Sequence, residues 1–229
     1  MKTIKPSFKI LTDISEGGIK ELQLIEKAGR ECYKSGDKIT PDGESAKKFV
    51  KMLIDNGHEA MIEHSILSVM FTVDRGVTHE MVRHRVASFA QESTRYVNYS
   101  KEKFGNEISV IDIMGGITLD NKMKKEDADV LGEIYLEWEQ AMREAEKHYM
   151  RMIELGATPQ IARSVLPNST KTSLTVTANY REWRHFFKLR TATTAHPQMR
   201  EVTIPLFIEL KKRIPIIFDD IEIKEDEIK

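Results

Sequence analysis

The stretch from Ile66 to Val73 most narrows what this chain can fold into. Ile66, Ser68, Met70 and Thr72 fall on one side of an extended backbone, and Leu67, Val69, Phe71 and Val73 on the other. Side chains alternate across a strand, so a run that is mostly apolar on both sides needs cover on both. It reads as a central strand of a sheet. Ser173-Leu174-Thr175-Val176-Thr177-Ala178 reads as another strand through its β-branched residues. Phe8 to Ile14 alternates apolar with polar residues and should end at Gly17-Gly18, and Ile108 to Ile113 alternates in the same way and should end at Gly115-Gly116.

Helical spacing fills the intervals. A helix is expected up to about Tyr33, with Ile19, Leu22 and Ile25 in one apolar row and Leu24, Ala28 and Cys32 in another, so Cys32 reads as a small core residue. After the turn at Pro41-Asp42-Gly43, Ala46, Phe49, Val50, Leu53 and Ile54 make a second apolar face, with Gly57 placed for a left-handed cap. The clearest helix runs from about Lys125 to Leu155, carrying Leu131, Ile134, Tyr135, Trp138, Met142, Ala145, Tyr149 and Met152 at three-and-four spacing. Thr158-Pro159 opens a short helix that carries Arg163 and closes at Pro167, and Pro197 opens the last one, to about Arg213, which Pro205 should kink.

One domain is expected over residues 1–218, followed by an acidic tail, residues 219–229, that should fray. Met1-Lys2-Thr3-Ile4-Lys5-Pro6 lacks the apolar core of a signal peptide, and no apolar run approaches the roughly 18 residues of a membrane span. A cytoplasmic location is expected. A single cysteine excludes an internal disulfide and any multi-cysteine metal site. The pI of 6.7 argues against a general nucleic-acid coat.

Charge is nevertheless concentrated. Asp74-Arg75-Gly76 should turn into a helix from about Thr78 that delivers Arg83-His84-Arg85, and after a spacer come Ser93 and Arg95. Guanidinium groups gathered without matching acids call for an anion, and a fork geometry suits phosphate or carboxylate. The bland alternative is a solvated basic face; Ser93-x-Arg95 favours a phosphorylated ligand. Residues 87–99, rich in Ser, Gln, Asn and Tyr, read as a ligand-contacting loop. A second cationic concentration lies in the helix from Asn179 to Arg190. Arg181, Arg184, His185 and Lys188 share one side of a helical wheel there, and Trp183, Phe186, Phe187 and Arg190 the other. Arg190 therefore faces the core and needs a counter-charge, either a protein acid or, as favoured, a ligand anion.

No metal is expected. Gly57 to His64 holds two histidines and two glutamates but no recognised ligand spacing, and reads as the polar rim of a pocket. His79 and His84 are five apart, not four, which turns them about 140° from each other on a helix.

Arg83-His84-Arg85, seven residues and then Ser93-x-Arg95 resembles the signature of the flavin-dependent thymidylate synthases, which make dTMP from dUMP using FAD. Gly57-His58-Glu59 with Glu63-His64, Ala162-Arg163 with Leu166-Pro167, Asn179-x-Arg181, His185-Phe186 and Leu189-Arg190 follow in that family's order, from about Cys32 to the helix after His196. The resemblance implies an α+β fold with a central, mostly antiparallel sheet, and a homotetramer whose FAD sites are shared between subunits. It implies Arg83, His84, Arg85, Gln91, Asn179, Arg181 and His185 as FAD contacts. Glu80, Arg83, Gln91, Ser93, Arg95, Arg163 and Arg190 would hold dUMP, with Arg190, Ser93 and His58 at the reacting centre. NADPH would reduce the flavin, and 5,10-methylenetetrahydrofolate would supply the methylene group. Ala90-Gln91 departs from the family's common Asn-Glu, and Ala60 from its Ser or Thr. The rival reading is a nucleic-acid-binding module using both cationic clusters.

Overall fold

The computed structural model describes residues 1–123 and 126–223. β3 (Ile66–Asp74) and β6 (Lys171–Asn179) pair antiparallel along their whole length, from Ile66 opposite Asn179 to Asp74 opposite Lys171. β2 (Ser7–Ile10) adds to β3 and β4 (Ala87–Gln91) adds to β6, giving an antiparallel sheet in the order β2-β3-β6-β4. The Ile66 strand is central, as expected, but only its Leu67, Val69, Phe71 and Val73 face is buried; on the other face Ile66 is exposed and Ser68, Met70 and Thr72 are half-buried. β1 (Lys2–Ile4), which sequence reading missed, pairs parallel with β5 (Ser109–Ile111) in a separate two-stranded sheet. The fold is α+β.

One face of the large sheet carries Leu67, Val69, Phe71, Leu174 and Val176, all buried beneath helices. These are α1 (Ile19–Tyr33), α2 (Glu44–Asp55), α7 (Tyr180–Arg190), α8 (Pro197–Arg213) and the short α9 (Pro215–Phe218). Trp183, Phe186 and Phe187 of α7 interlock with Phe207 and Phe218, and the Trp183 indole N–H donates to the Leu67 carbonyl at 3.0 Å. Burying each of these rings contributes roughly 1.5–3 kcal/mol, enough to set the rotation of α7. Pro205 lies inside α8 without ending it.

A smaller core gathers Tyr99, Ile108, Val110, Met142, Tyr149 and Ala162 against α5 (Ala128–Glu154). Of the apolar row expected on that helix only Met142 and Tyr149 are buried, while Val130, Ile134 and Leu136 in its first half stand exposed.

Several expectations are corrected. Cys32 is exposed, because α1 buries Glu21, Leu22, Ile25, Glu26 and Gly29 instead. Two buried acids rotate that face: Glu26 takes bonds from Arg30 at 2.7 Å and Ser45 at 2.8 Å, and Glu21 one from the Ser15 hydroxyl at 2.6 Å. Satisfied acids can face a core. The strand expected over Phe8 to Ile14 is β2, which stops at Ile10. Residues 87–91, expected in a loop, form β4, whose alternating half-buried pattern docks on β6. The helix expected from Thr78 begins at Arg75, because the Asp74 carboxylate caps it by accepting the Val77 N–H at 2.7 Å. Gly115 and Gly116 do not end β5. They lie in α4 (Met114–Leu119), where an added Cβ would overlap Glu201 and Gln198 of α8. The expected tail begins in packed structure, with Ile221 buried, and residues 224–229 lie outside the described ones. Among the described residues no helix is long and apolar enough to cross a membrane.

Glu201 beneath Gly115 has a measurable signature. Burial, reinforced by the Asp112 and Asp74 carboxylates, pushes it up from 4.5 to about 7. Between those values the folded chain holds a proton that the unfolded chain has lost, so stability falls as pH rises through that window. Glu201→Gln is expected to raise Tm at about pH 8 by a few degrees, the equivalent of about 1–2 kcal/mol after screening, and to leave it unchanged at pH 4. Thermal melts across that range check it.

Candidate active site

The Arg-His-Arg segment follows α3 (Arg75–Met81) as two tight turns, with the Arg83 N–H donating to the Glu80 carbonyl and the His84 N–H to that of Met81. This winding leaves Arg83 and Arg85 exposed and turns His84 inward. The imidazole packs edge-on against Phe186, centroids 4.9 Å apart, and against His185 at 5.6 Å. Its Nδ1 lies 2.9 Å from Glu182 Oε1, and Arg190 Nε donates to its Nε2 at 3.1 Å. Arg190 continues the chain, with Nη1 donating to Glu80 Oε2 and Nη2 to the Glu80 carbonyl, both at 3.0 Å. His196 lies 3.9 Å from the other Glu80 oxygen.

A guanidinium has no lone pair to offer, so His84 Nε2 must be the acceptor and the ring proton must sit on Nδ1, facing Glu182. The imidazole is neutral. Burial pushes its pKa down, the hydrogen bond it donates to Glu182 opposes that, and the nearby Arg190 charge adds to the lowering. Donor atoms of His84, Glu182 and His185 lie within 4.8 Å of one another, a spacing that a metal could use. Both His84 nitrogens are already engaged, however, and the group is read as a hydrogen-bonded chain.

Beside it opens a cavity of about 390 Å³ between α7 and the turn Glu59–His64, walled by Glu59, Glu63, Asn179, Arg181, His185 and Lys188. Asn179 caps α7, its Oδ1 accepting the Glu182 N–H at 2.9 Å, while Arg181 pairs with Glu63 and stays half exposed. Arg184, expected beside Arg181 on the outer face, is buried instead. Its guanidinium grips Asp220 through two bonds of 2.6 and 2.7 Å, donates to Glu59 at 2.9 Å and also reaches the Ile217 carbonyl. The segment after α9 folds over that face, and the wheel could not anticipate it.

A second polar group lies at the other end of β4. Gln91 donates to the Thr78 and Thr172 hydroxyls at 2.9 and 3.4 Å. The Ser93 hydroxyl accepts the Arg95 N–H at 3.3 Å, Arg163 donates to the Thr94 hydroxyl at 3.4 Å, and the Arg95 guanidinium lies over Tyr96. Arg163 follows α6 (Pro159–Ala162).

Residues 19–216 match the family described as thymidylate synthase complementing protein. The chain belongs to that family. It is 32% identical to a flavin-dependent thymidylate synthase of Corynebacterium aurimucosum over 213 residues, covering 92% of this chain and 84% of the relative. It is 36% identical to one of Mycolicibacterium vanbaalenii, covering 87% and 79%. The solved structure of a UMP/dUMP methylase, PolB of Streptomyces cacaoi bound with 5-Br dUMP, shares the fold at a TM-score of 0.76 and 21% identity, covering 96% of each chain.

Within this member of the thymidylate synthase complementing family, the residues singled out from sequence fall into distinct sets. Glu80, His84 and Arg190 are bonded together with His185 against them, and Asn179, Arg181 and His185 line the cavity. Gln91, Ser93, Arg95 and Arg163 have other partners, Gln91 bonding Thr78 of α3, the Ser93 hydroxyl the Arg95 N–H and Arg163 the Thr94 hydroxyl. His58 is exposed at the start of the Glu59–His64 turn, and Arg83 and Arg85 have no side-chain partner among the described residues. Arg190 was expected to meet a ligand anion, and in this structure the acid Glu80 answers it. Sequence reading missed Glu182. Its signal was there: the only acid of a cationic helix, three residues after a capping Asn.

Proposed function

We propose that the chain synthesises dTMP by reductive methylation of dUMP, with FAD as cofactor, NADPH as reductant and 5,10-methylenetetrahydrofolate as one-carbon donor. In this reading it works in the cytoplasm as a homotetramer, each subunit contributing one domain over residues 1–218. The observation that carries the proposal is Arg190 anchored through His84 to Glu182 beside a cavity whose wall mixes Arg181, His185 and Lys188 with Glu59, Glu63 and Glu182, in a chain of this family.

The residues fit FAD. Arg181, on leaving Glu63, together with Lys188 and the side-chain amide of Asn179 would offer donors for a pyrophosphate from the cavity wall, and the exposed Arg83 and Arg85, without a side-chain partner among the described residues, would join them. A cavity of about 390 Å³ accommodates one end of a dinucleotide, which supports sites shared between subunits. The exposed apolar residues Val130, Ile134 and Leu136 of α5 support assembly too. Reduced FAD, when bound, supplies the hydride that turns the transferred methylene into a methyl group. The chain's own residues bind and polarise. Arg190 would stabilise negative charge on the carbonyl and imide side of uracil, displacing Glu80 from its fork, as preorganised donors do in an oxyanion site. Ser93, Arg95 and Arg163 would hold the phosphate, and His58 would stand at the flavin edge. No side-chain nucleophile is needed.

Purified protein is expected to be yellow. Reduced anaerobically with NADPH and mixed with dUMP and 5,10-methylenetetrahydrofolate, it should yield dTMP by chromatography, and Cys32→Ala should do so equally well. Absence of dTMP overturns the reading. A colourless protein with salt-sensitive nucleic-acid binding would favour the rival module.

A further inference from the structure

Glu182, Phe186 and Arg190 lie at i, i+4 and i+8 on α7, one stripe along the helix. His84 lies along that stripe. Its Nδ1 meets Glu182 at 2.9 Å, its ring rests on Phe186 at 4.9 Å, and its Nε2 receives Arg190 Nε at 3.1 Å. A residue from outside the helix thus connects its first turn to its last. We propose that Glu182 is a positioning residue, which holds His84 in the Nδ1–H tautomer and thereby fixes the guanidinium of Arg190 for the reaction. This rests on the dUMP-methylating reading of the site.

Donor and acceptor counting carries the inference. Were the ring proton on Nε2, two N–H groups would confront each other at 3.1 Å with no acceptor between them. Arg190 Nε would lose its bond and the guanidinium would turn about its long stem. A carboxylate only accepts, so Glu182 at Nδ1 selects the one tautomer that leaves a lone pair for Arg190. Glu182 is itself held, its N–H bonded to the Asn179 cap and its side chain mostly covered. With Nε anchored, the Nη1 and Nη2 edge is the part of Arg190 left to exchange Glu80 for a substrate anion. His84 therefore has both ring nitrogens engaged inside the chain, and its work is to brace Arg190.

The test is nitrogen-15 NMR of histidine-labelled protein, with the His84 signals assigned by their loss in His84→Gln. Wild type should show the proton on Nδ1. Glu182→Gln, whose amide oxygen still accepts, should keep that tautomer and hold kcat within about threefold. Glu182→Leu should lose it and lower kcat roughly 10²-fold, with KM for dUMP changed far less. A wild-type His84 protonated on Nε2, or a Glu182→Leu variant that keeps both the Nδ1–H tautomer and wild-type kcat, overturns the inference. If the leucine variant does not fold, the wild-type tautomer decides. Failure of wild type to make dTMP would strike the functional reading instead, and the spectra would still report on the tautomer.

Discussion

Arg190→Ala is expected to reduce dTMP formation by about 10³-fold while the protein stays folded and yellow. Removing one preorganised donor from an oxyanion site typically costs about 10²–10³ in kcat, and here one side chain supplies the whole fork. The substitution also strands its neighbours. Glu80 loses the cation that its carboxylate and carbonyl both contact, and His84 Nε2 loses its donor. A negative Glu80 without its partner would then repel an ionising imide. Arg190→Lys should recover little, remaining roughly 10²-fold down, because an ammonium cannot bond His84 and hold a two-pronged edge at once. Steady-state dTMP production, with flavin absorbance as the control for cofactor occupancy, gives the answer. A loss below tenfold for the alanine variant would mean that Arg190 does not polarise the substrate.

The largest effect on stability is expected from Arg184→Met, about 3 kcal/mol. Breaking a buried ion pair by removing one member costs roughly 3–5 kcal/mol, and the lower end applies because Glu59 and Asp220 can recover water. The Ile217 carbonyl would also lose a donor in a buried setting. For a chain of this length, Tm should fall by roughly 6–12 °C. The pH dependence has a definite sign. Arg184 holds the Asp220 carboxyl below its ordinary value of 3.8, so this contribution is complete above 3.8 and is lost as pH falls through the folded-state value. The gap between wild type and variant should therefore narrow in strong acid. Calorimetry of both proteins at neutral and acid pH tests both points.

Much of the sheet was readable from residue order. β3 and β6 announce themselves because apolar and β-branched residues repeat on faces that must be covered, and α2 because its five apolar positions keep one helical stripe. What stayed hidden depended on partners distant in sequence. β4 carries Phe89 as its one large apolar residue among Ala87, Ser88, Ala90 and Gln91, and β6 gives it a ladder to join. Arg184 looks like an outward cation until Asp220 arrives from 36 residues away. The α1 face misleads because Glu21 and Glu26 are inside while Leu24 is out. At the site, the need of Arg190 for an anion was legible from its place among aromatics. Which anion answers it was not, since Glu80 comes from a separate helix.

The two cores divide the labour of holding these groups. Glu80, His84 and Arg190 are borne by elements rooted in the large cluster, whereas the Ser93–Arg95 turn and Arg163 adjoin Tyr99 and Ala162 of the small one. A small cluster opens at lower free energy than a large one. On the proposed assignment, gentle warming would therefore release the residues given to the nucleotide's anionic end first, leaving those given to its ring assembled but without cargo.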